Sequence, residues 1–262
     1  MSDPSLAVAV RAARNAAAIV TDAAQDLRRL PAFSTGHGEI VSAAEKEAED
    51  AIRSTLKAAF PEHAFAGADA AAGAGPDSSW RWIVHAIDGT ANFGHGYPHY
   101  AISIALARGS DVTHAVVLDP LRNELFTATK ARGAFANGVA LRVSACTMLE
   151  RGLVGTAVPW RESPKLSAYL PLFASVARRC AGIRRGGSAA LDLAYVAAGR
   201  LEGFWSVSLN WRDVAAGALL VREAGGRVGD FAGGEDSLRV GGMIAAAPGV
   251  FHALREAIDA AL

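Results

Sequence analysis

Apolar residues recur at Leu6, Val10, Ala13, Ala17 and Val20 and on to about Leu27, the spacing of one buried helix face. Ser2-Asp3-Pro4 supplies a start signal for that helix, an acceptor side chain followed by a residue with φ already set. A second helix is predicted from about Ala43 to Phe60, with Ile52, Leu56 and Phe60 in register and Pro61 just past its end. Shorter runs of strand character follow at Trp82 to Ile87, Tyr100 to Ala107, Thr113 to Asp119 and Glu124 to Lys130. Asn137-Gly138 has the chemistry of a tight hairpin turn and predicts that the last of these pairs with Ala140 to Val143. Ala70 to Ser79 is small, Gly-rich and weakly patterned, as a surface connection would be. The first half therefore reads as two helices on an antiparallel sheet.

Beyond residue 147 strand and helix patterns alternate. The strands are Gly152 to Ala157, Ile183 to Arg185, Gly203 to Ser206, Arg227 to Asp230 and Met243 to Ala246. The helices are Leu166 to Cys180, Ser188 to Ala198, Val214 to Ala224 and Gly249 to Leu262. Alternation of this kind argues for α/β layers. No repeat of fixed period appears. The division expected is an α+β half over 1–147 and an α/β half over 148–262, packed as one unit with a site between them.

Composition narrows the class. With 262 residues and 51% hydrophobic content the chain buries a substantial core. Lys+Arg 26 balances Asp+Glu 26, so direct nucleic-acid binding is not expected from charge. Cys146 and Cys180 stand apart without ligand spacing and read as small buried apolar groups in a reducing compartment. No run is long enough to span a bilayer and no signal-peptide pattern opens the chain, which predicts a cytoplasmic protein without membrane contact.

The chemistry concentrates in Trp82 to Phe93, WIVHAIDGTANF. A buried apolar run delivers Asp88 to a strand end, and Gly89 lets the backbone turn sharply with N–H groups outward, an arrangement that favours an anion. Carboxylates converging beside such a turn could hold Mg2+ for phosphoryl transfer. Taken alone, Asp-Gly-Thr reads first as an Asx-type turn in which Asp88 merely caps the reversal; the rest of the chain changes that.

The stretch resembles W-x-x-D-P-x-D-G-T-x-N-F, the signature of the inositol monophosphatase family of Mg2+-dependent phosphomonoesterases. Asp88, Gly89, Thr90, Asn92 and Phe93 match it; His85 and Ala86 replace Asp-Pro. VLDPLRNELFTAT (Val117 to Thr129), GSAALDLAYVAAGRL (Gly187 to Leu201) and DVAAGALLVREAGG (Asp213 to Gly226) are similar to the family's bacterial extragenic-suppressor branch. The family's second signature, W-D-x-A-A-G, is altered, since Arg212 precedes Asp213 and Trp211 stands one place earlier. The resemblance implies a layered αβαβα sandwich, α+β then α/β, and a homodimer.

It also implies a site against which the acidic residues can be compared. The family's metal-binding Glu falls at Ala68 in Gly67-Ala68-Asp69-Ala70, leaving Asp69 as a possible substitute one residue on. The Asp of V-T-x-x-D falls at Glu45, and the sugar-binding Glu seven residues before Asp213 falls at Ser206. His85 takes the place of the carboxylate that bridges two metals. By resemblance Asp88, Thr90 and Glu45 are the catalytic candidates. Gly89, Thr90, Gly187, Ser188, Ala189 and Ser206 line the substrate, and Asp88 and Asp213 remain to hold a weak cation.

Nitrogen from His85 suits Mg2+ poorly, since that ion prefers oxygen. Three histidines, His85, His95 and His99, lie close in sequence, and His85 with Asp88 and Asp213 could instead suit Zn2+ or Mn2+. His95 reads as solvated. Arg184-Arg185 and Arg28-Arg29 read as solvated ends, Asp192 as a helix cap, and Trp160 and Trp211 as space-fillers near the pocket. Three functions stay open: a weak or inactive phosphatase kept for binding or regulation, with a possible protein partner; an active Mg2+-dependent enzyme on inositol phosphate or a similar small ester; and an interaction module whose dimer surface matters more than its pocket. A phosphate or sulfate anion is expected to bind without metal.

Overall fold

The computed structural model describes residues 3–29, 36–66, 79–159, 162–208, 210–232, 234 and 242–262. The order of elements begins with α1 (Pro4–Arg29), α2 (Gly36–Ala59), β1 (Ala64–Phe65), β2 (Trp80–Asp88) and α3 (Thr90–Gly94). It continues with β3 (Ala101–Arg108), β4 (Asp111–Asp119), β5 (Glu124–Thr129), β6 (Ala134–Ala136) and β7 (Val139–Ala140). A 3-10 turn at Leu149–Arg151 leads to β8 (Leu153–Ala157), α4 (Lys165–Ala177), β9 (Gly182–Arg184) and α5 (Ala189–Ala197). Last come β10 (Gly203–Ser206), α6 (Trp211–Glu223), β11 (Arg227–Gly229), β12 (Met243–Ala246) and α7 (Pro248–Asp259).

The strands form two sheets, one ordered β1-β2-β3-β4-β5-β6-β7 and one ordered β11-β12-β10-β8-β9. Side-chain alternation along the strands assigns the layers. On β3, Ile102, Ile104 and Leu106 pack against α1 and α2, while Ala101, Ala105 and Ala107 turn to α5 and α6. On β10, Phe204 joins the α5–α6 core and the next residue, Trp205, joins the outer layer of α4 and α7. The result is an αβαβα sandwich in which α5 and α6 are shared between both sheets. Their sequences reflect it: Leu191, Leu193, Ala194, Ala215, Ala218 and Leu220 are all nearly solvent-free, as a helix covered on both sides requires.

Local signals hold with small adjustments. Asp3 Oδ1 accepts the Ser5 amide at 2.9 Å and opens α1. α2 begins at Gly36, several residues before the apolar periodicity at Ala43 becomes visible. The predicted hairpin is corrected: Asn137-Gly138 joins β6 to β7, both short, because β6 intervenes and pairs with β5. Both central residues have positive φ, 47° and 82°, the conformation that favours Asn-Gly in a two-residue loop. Cys146 and Cys180 are free and half-buried rather than buried. Among the described residues no helix is long and apolar enough to cross a membrane.

Candidate functional site

β2 lies inside the first sheet and is buried along almost its whole length. In an unbroken strand His85 and Asp88, three residues apart, would face opposite sides. The register prevents that. His85 pairs with Ser103 and Asp88 with Ala101, so three steps on β2 match two on β3. This bulge turns Ala86 and Ile87 together toward the α1–α2 layer and leaves His85 and Asp88 on the same, opposite side, as bulges commonly re-aim side chains beside functional sites.

Two helix starts meet them there. Ser188 caps α5, and its hydroxyl is 2.5 Å from Asp88 Oδ2, which also accepts the Ala190 amide at 2.8 Å. Asp213 sits in the first turn of α6, where its Oδ2 accepts the Asn210 amide at 3.0 Å. Each carboxylate thus uses Oδ2 to satisfy orphan amides at a helix N-terminus, where negative charge is favoured. Both Oδ1 atoms face His85. Its Nδ1 lies 3.0 Å from Asp213 Oδ1 and 3.6 Å from Asp88 Oδ1, without a hydrogen bond in good alignment.

Electrostatics follow from burial. Burial disfavours a charged His85, yet contact with Asp213 and the charges of Asp88 and Asp213 outweigh it and raise the imidazole above its ordinary value. Burial pushes the Asp88 carboxyl up as well, against the pull of His85 and the hydrogen bonds from Ser188 and Ala190. Both shifts act in one sense: they favour keeping a proton in the cluster.

The three side chains floor a cleft of about 290 Å³ that also exposes Gly89, Thr90, Gly187, Ser188, Ala189 and Asp192. Gly89, at φ 100°, turns the chain from β2 into α3, and an added Cβ would sit 3.1 to 3.2 Å from His99 O, Gly187 O and Tyr100 Cβ. Asn92 ties this turn to the α5 loop, donating to His99 O at 2.7 Å and Gly186 O at 2.9 Å. Asp192 is buried under the cleft with His99 Nε2 3.8 Å away, and burial pushes its carboxyl up.

Most of the expected residues converge, and several do not. Ser206 is fully buried, its hydroxyl accepting the Ser208 amide at 3.2 Å, and it is absent from the cleft wall. Glu45 borders a separate surface depression with Ser42, Lys46, Glu49 and Asp50. Trp211 does not fill the pocket; it is 4% exposed and packs in the central core with Val214, Ala215 and Ala218, because that helical stripe faces inward. Ala68, Asp69 and Trp160 lie outside the described residues. The sequence reading missed Arg185, Arg212 and Asn210, all in the cleft wall. The signal for Arg185 was its place two residues before the Gly187-Ser188 loop.

His85, Asp88 and Asp213 can each offer one ligand atom within 4.8 Å of the others. The donor set is one nitrogen and two oxygens, with the second oxygen of each carboxylate already bonded to protein. Mg2+ takes oxygen ligands in near-octahedral array, so these described residues do not fit that ion well. Zn2+, a borderline ion, takes imidazole and carboxylate together, and Mn2+, though a hard ion, is less exacting about its ligands than Mg2+.

Residues 1–260 match the inositol monophosphatase family. The chain is 43% identical over 260 residues to the Nus factor SuhB of Pseudomonas aeruginosa, covering 98% of this chain and 96% of that one. It is also 43% identical over 234 residues to the inositol-1-monophosphatase of Rhizobium meliloti, covering 89% and 88%. The crystal structure of the extragenic suppressor protein SuhB from Bartonella henselae superposes with a TM-score of 0.84 at 39% identity, covering 96% of both chains. The signature around Asp88, the sandwich that carries it and these likenesses agree: the chain belongs to the inositol monophosphatase family.

Proposed function

We propose that this chain binds small phosphate esters or phosphate-like anions in the β2–α5–α6 cleft with little or no Mg2+-dependent hydrolysis, and that it serves as a binding or regulatory member of its family. One observation carries the reading: His85 Nδ1 stands between the Asp88 and Asp213 carboxylates, 3.6 and 3.0 Å from their facing oxygens. The imidazole nitrogen faces the same two oxygens that a cation held by both carboxylates would need. Phosphoryl transfer relies on preorganised positive charge at the reacting group, so a site that replaces ligand oxygen with nitrogen is expected to lose orders of magnitude in rate.

Anion affinity survives on other groups. Arg185 and Arg212 line the cleft together with Thr90 and Asn210, and guanidinium forks pair with phosphate oxygens without metal. A regulatory role accords with the name Nus factor carried by the SuhB relatives, and a protein partner and a homodimer belong to the same proposal. The other reading, an active phosphomonoesterase using Mn2+ or Zn2+, is favoured by the His-Asp-Asp grouping and by the name of the Rhizobium relative.

The test is titration calorimetry of the metal-stripped protein with inorganic phosphate in excess chelator. A cleft component that persists in chelator and is lost in Arg185→Gln/Arg212→Gln supports the proposal. A cleft component that appears only after Mg2+, Mn2+ or Zn2+ is restored, accompanied by turnover of inositol 1-phosphate, would replace it with the second reading.

A further inference from the structure

Arg185, Gly186 and Gly187 join β9 to Ser188, the cap of α5, and Arg185 stands in the cleft wall. Asn92 Nδ2 holds this loop, donating to Gly186 O at 2.9 Å and to His99 O at 2.7 Å. Two side chains hold it as well. An added Cβ on Gly186 would lie 2.5 Å from His99 Nε2 and 2.7 Å from Asp192 Oδ1, which are themselves 3.8 Å apart. Gly186 has no left-handed φ, so these two side chains, rather than backbone conformation, exclude a larger residue there.

Asp192 is unfavourable where it stands unless something faces it. It is 3% exposed, in the first turn of α5, and taking a carboxylate out of water costs more than a helix N-terminus alone gives back. His99 Nε2 and the charge of Arg185 supply the rest. His99 has the matching need, since its Nε2 is buried without a hydrogen bond inside the chain. A buried nitrogen and a buried carboxyl are thus paired across a glycine.

Each residue has an ordinary structural use. Asp192 suits a helix start, and the His99 ring packs edge-on to Tyr195 with centroids 6.0 Å apart. Those uses explain the residues singly. Neither requires the two groups to meet against Gly186, one residue after Arg185 and two before Ser188, whose hydroxyl is 2.5 Å from Asp88 Oδ2.

We propose that His99 and Asp192 are a positioning pair: they fix the Gly186-Gly187 loop and thereby set where Arg185 and Ser188 stand in the cleft. The inference rests on the anion-binding reading of that cleft. Hydrogen bonds weaken steeply with distance and misalignment, so a loosened loop costs affinity without any contact between the pair and the anion.

The experiment titrates the full chain with inorganic phosphate in excess chelator. His99→Phe keeps an aromatic ring beside Tyr195 and loses the nitrogen, whereas His99→Gln keeps a side-chain N–H donor and loses the ring. His99→Phe should weaken phosphate binding about tenfold and His99→Gln by no more than about threefold, the scale of one polar contact. Ring packing alone predicts the opposite order. In an Asp192→Ala background His99→Phe should lose most of its effect, because the pair is already broken, and any direct repulsion between Asp192 and phosphate cancels from that comparison. Ligand-free melting checks each fold; should His99→Phe melt early, Gly186→Ala carries the test, since its methyl group must displace the pair without straining the backbone and should weaken phosphate binding severalfold. Parental affinity in the folded variant that carries the test, or an equal effect of His99→Phe in both backgrounds, would overturn this inference alone. No phosphate binding by the parent would overturn the cleft reading and this inference with it.

Discussion

His85 Nδ1 lies 3.0 Å from Asp213 Oδ1, joining the end of β2 to the first turn of α6. The contact exists because a bulge in β2 places His85 and Asp88 on one side. Sheet register, rather than the motif alone, therefore decides which groups share the cleft.

If the fold is intact and only ligands are missing, restoring oxygen at both altered positions should restore chemistry. Ala68→Glu with His85→Asp is expected to raise Mg2+-dependent hydrolysis of inositol 1-phosphate at least about a hundredfold over the parent, the scale on which single electrostatic groups act in catalysis. Phosphate release assayed across a Mg2+ series checks it. A folded double variant without gain would move the limitation to Ser206 or Glu45.

Gly187 joins the cleft loop to the signature turn. It has φ +88°, and an added Cβ would lie 2.8 Å from Asn92 Nδ2, the group that donates to His99 O and Gly186 O. Gly187→Ala should cost about 2 kcal/mol of stability from backbone strain and the displaced amide, read as a lowered denaturation midpoint with unchanged slope. It should also weaken phosphate binding in the cleft.

Acid should weaken the packing around His63. The ring stacks on Phe60 at 4.9 Å and lies near Trp80 and Trp82, and burial lowers its pKa from the ordinary 6.5. The unfolded chain therefore takes up the proton more readily than the folded one. Stability from the neutral ring is complete above the unfolded value and is lost as pH falls from there through the lower folded value. His63→Phe should narrow the difference in Tm between pH 7.5 and 5.5, measured on both proteins in the same buffers. An unchanged difference would sink the assignment.

Much of this arrangement was legible in the sequence, and the exceptions share a cause. The alternation in AISIALAR already separates Ile102, Ile104 and Leu106 from Ala101, Ala105 and Ala107, so the layers follow from local pattern. The bulge does not, since neither Gly nor Pro marks residues 85–88 and the strand reads as a continuous apolar run. Arg185 reads as a solvated end because only the loop that follows β9 brings it to the cleft. Trp211 looks like a pocket filler until its helical stripe is placed against the central core. Glu45 is a catalytic candidate by the motif resemblance, but its turn of α2 borders another depression. In each case a relation between distant segments overrides the reading of the nearest residues.

Calorimetric titration of the metal-stripped chain with Mg2+ tests the central claim most directly. With nitrogen from His85 between Asp88 and Asp213, no site tighter than about millimolar is expected, because Mg2+ demands oxygen ligands in near-octahedral geometry. Two sites of micromolar affinity would contradict the account and show that His85 does not prevent tight Mg2+ binding.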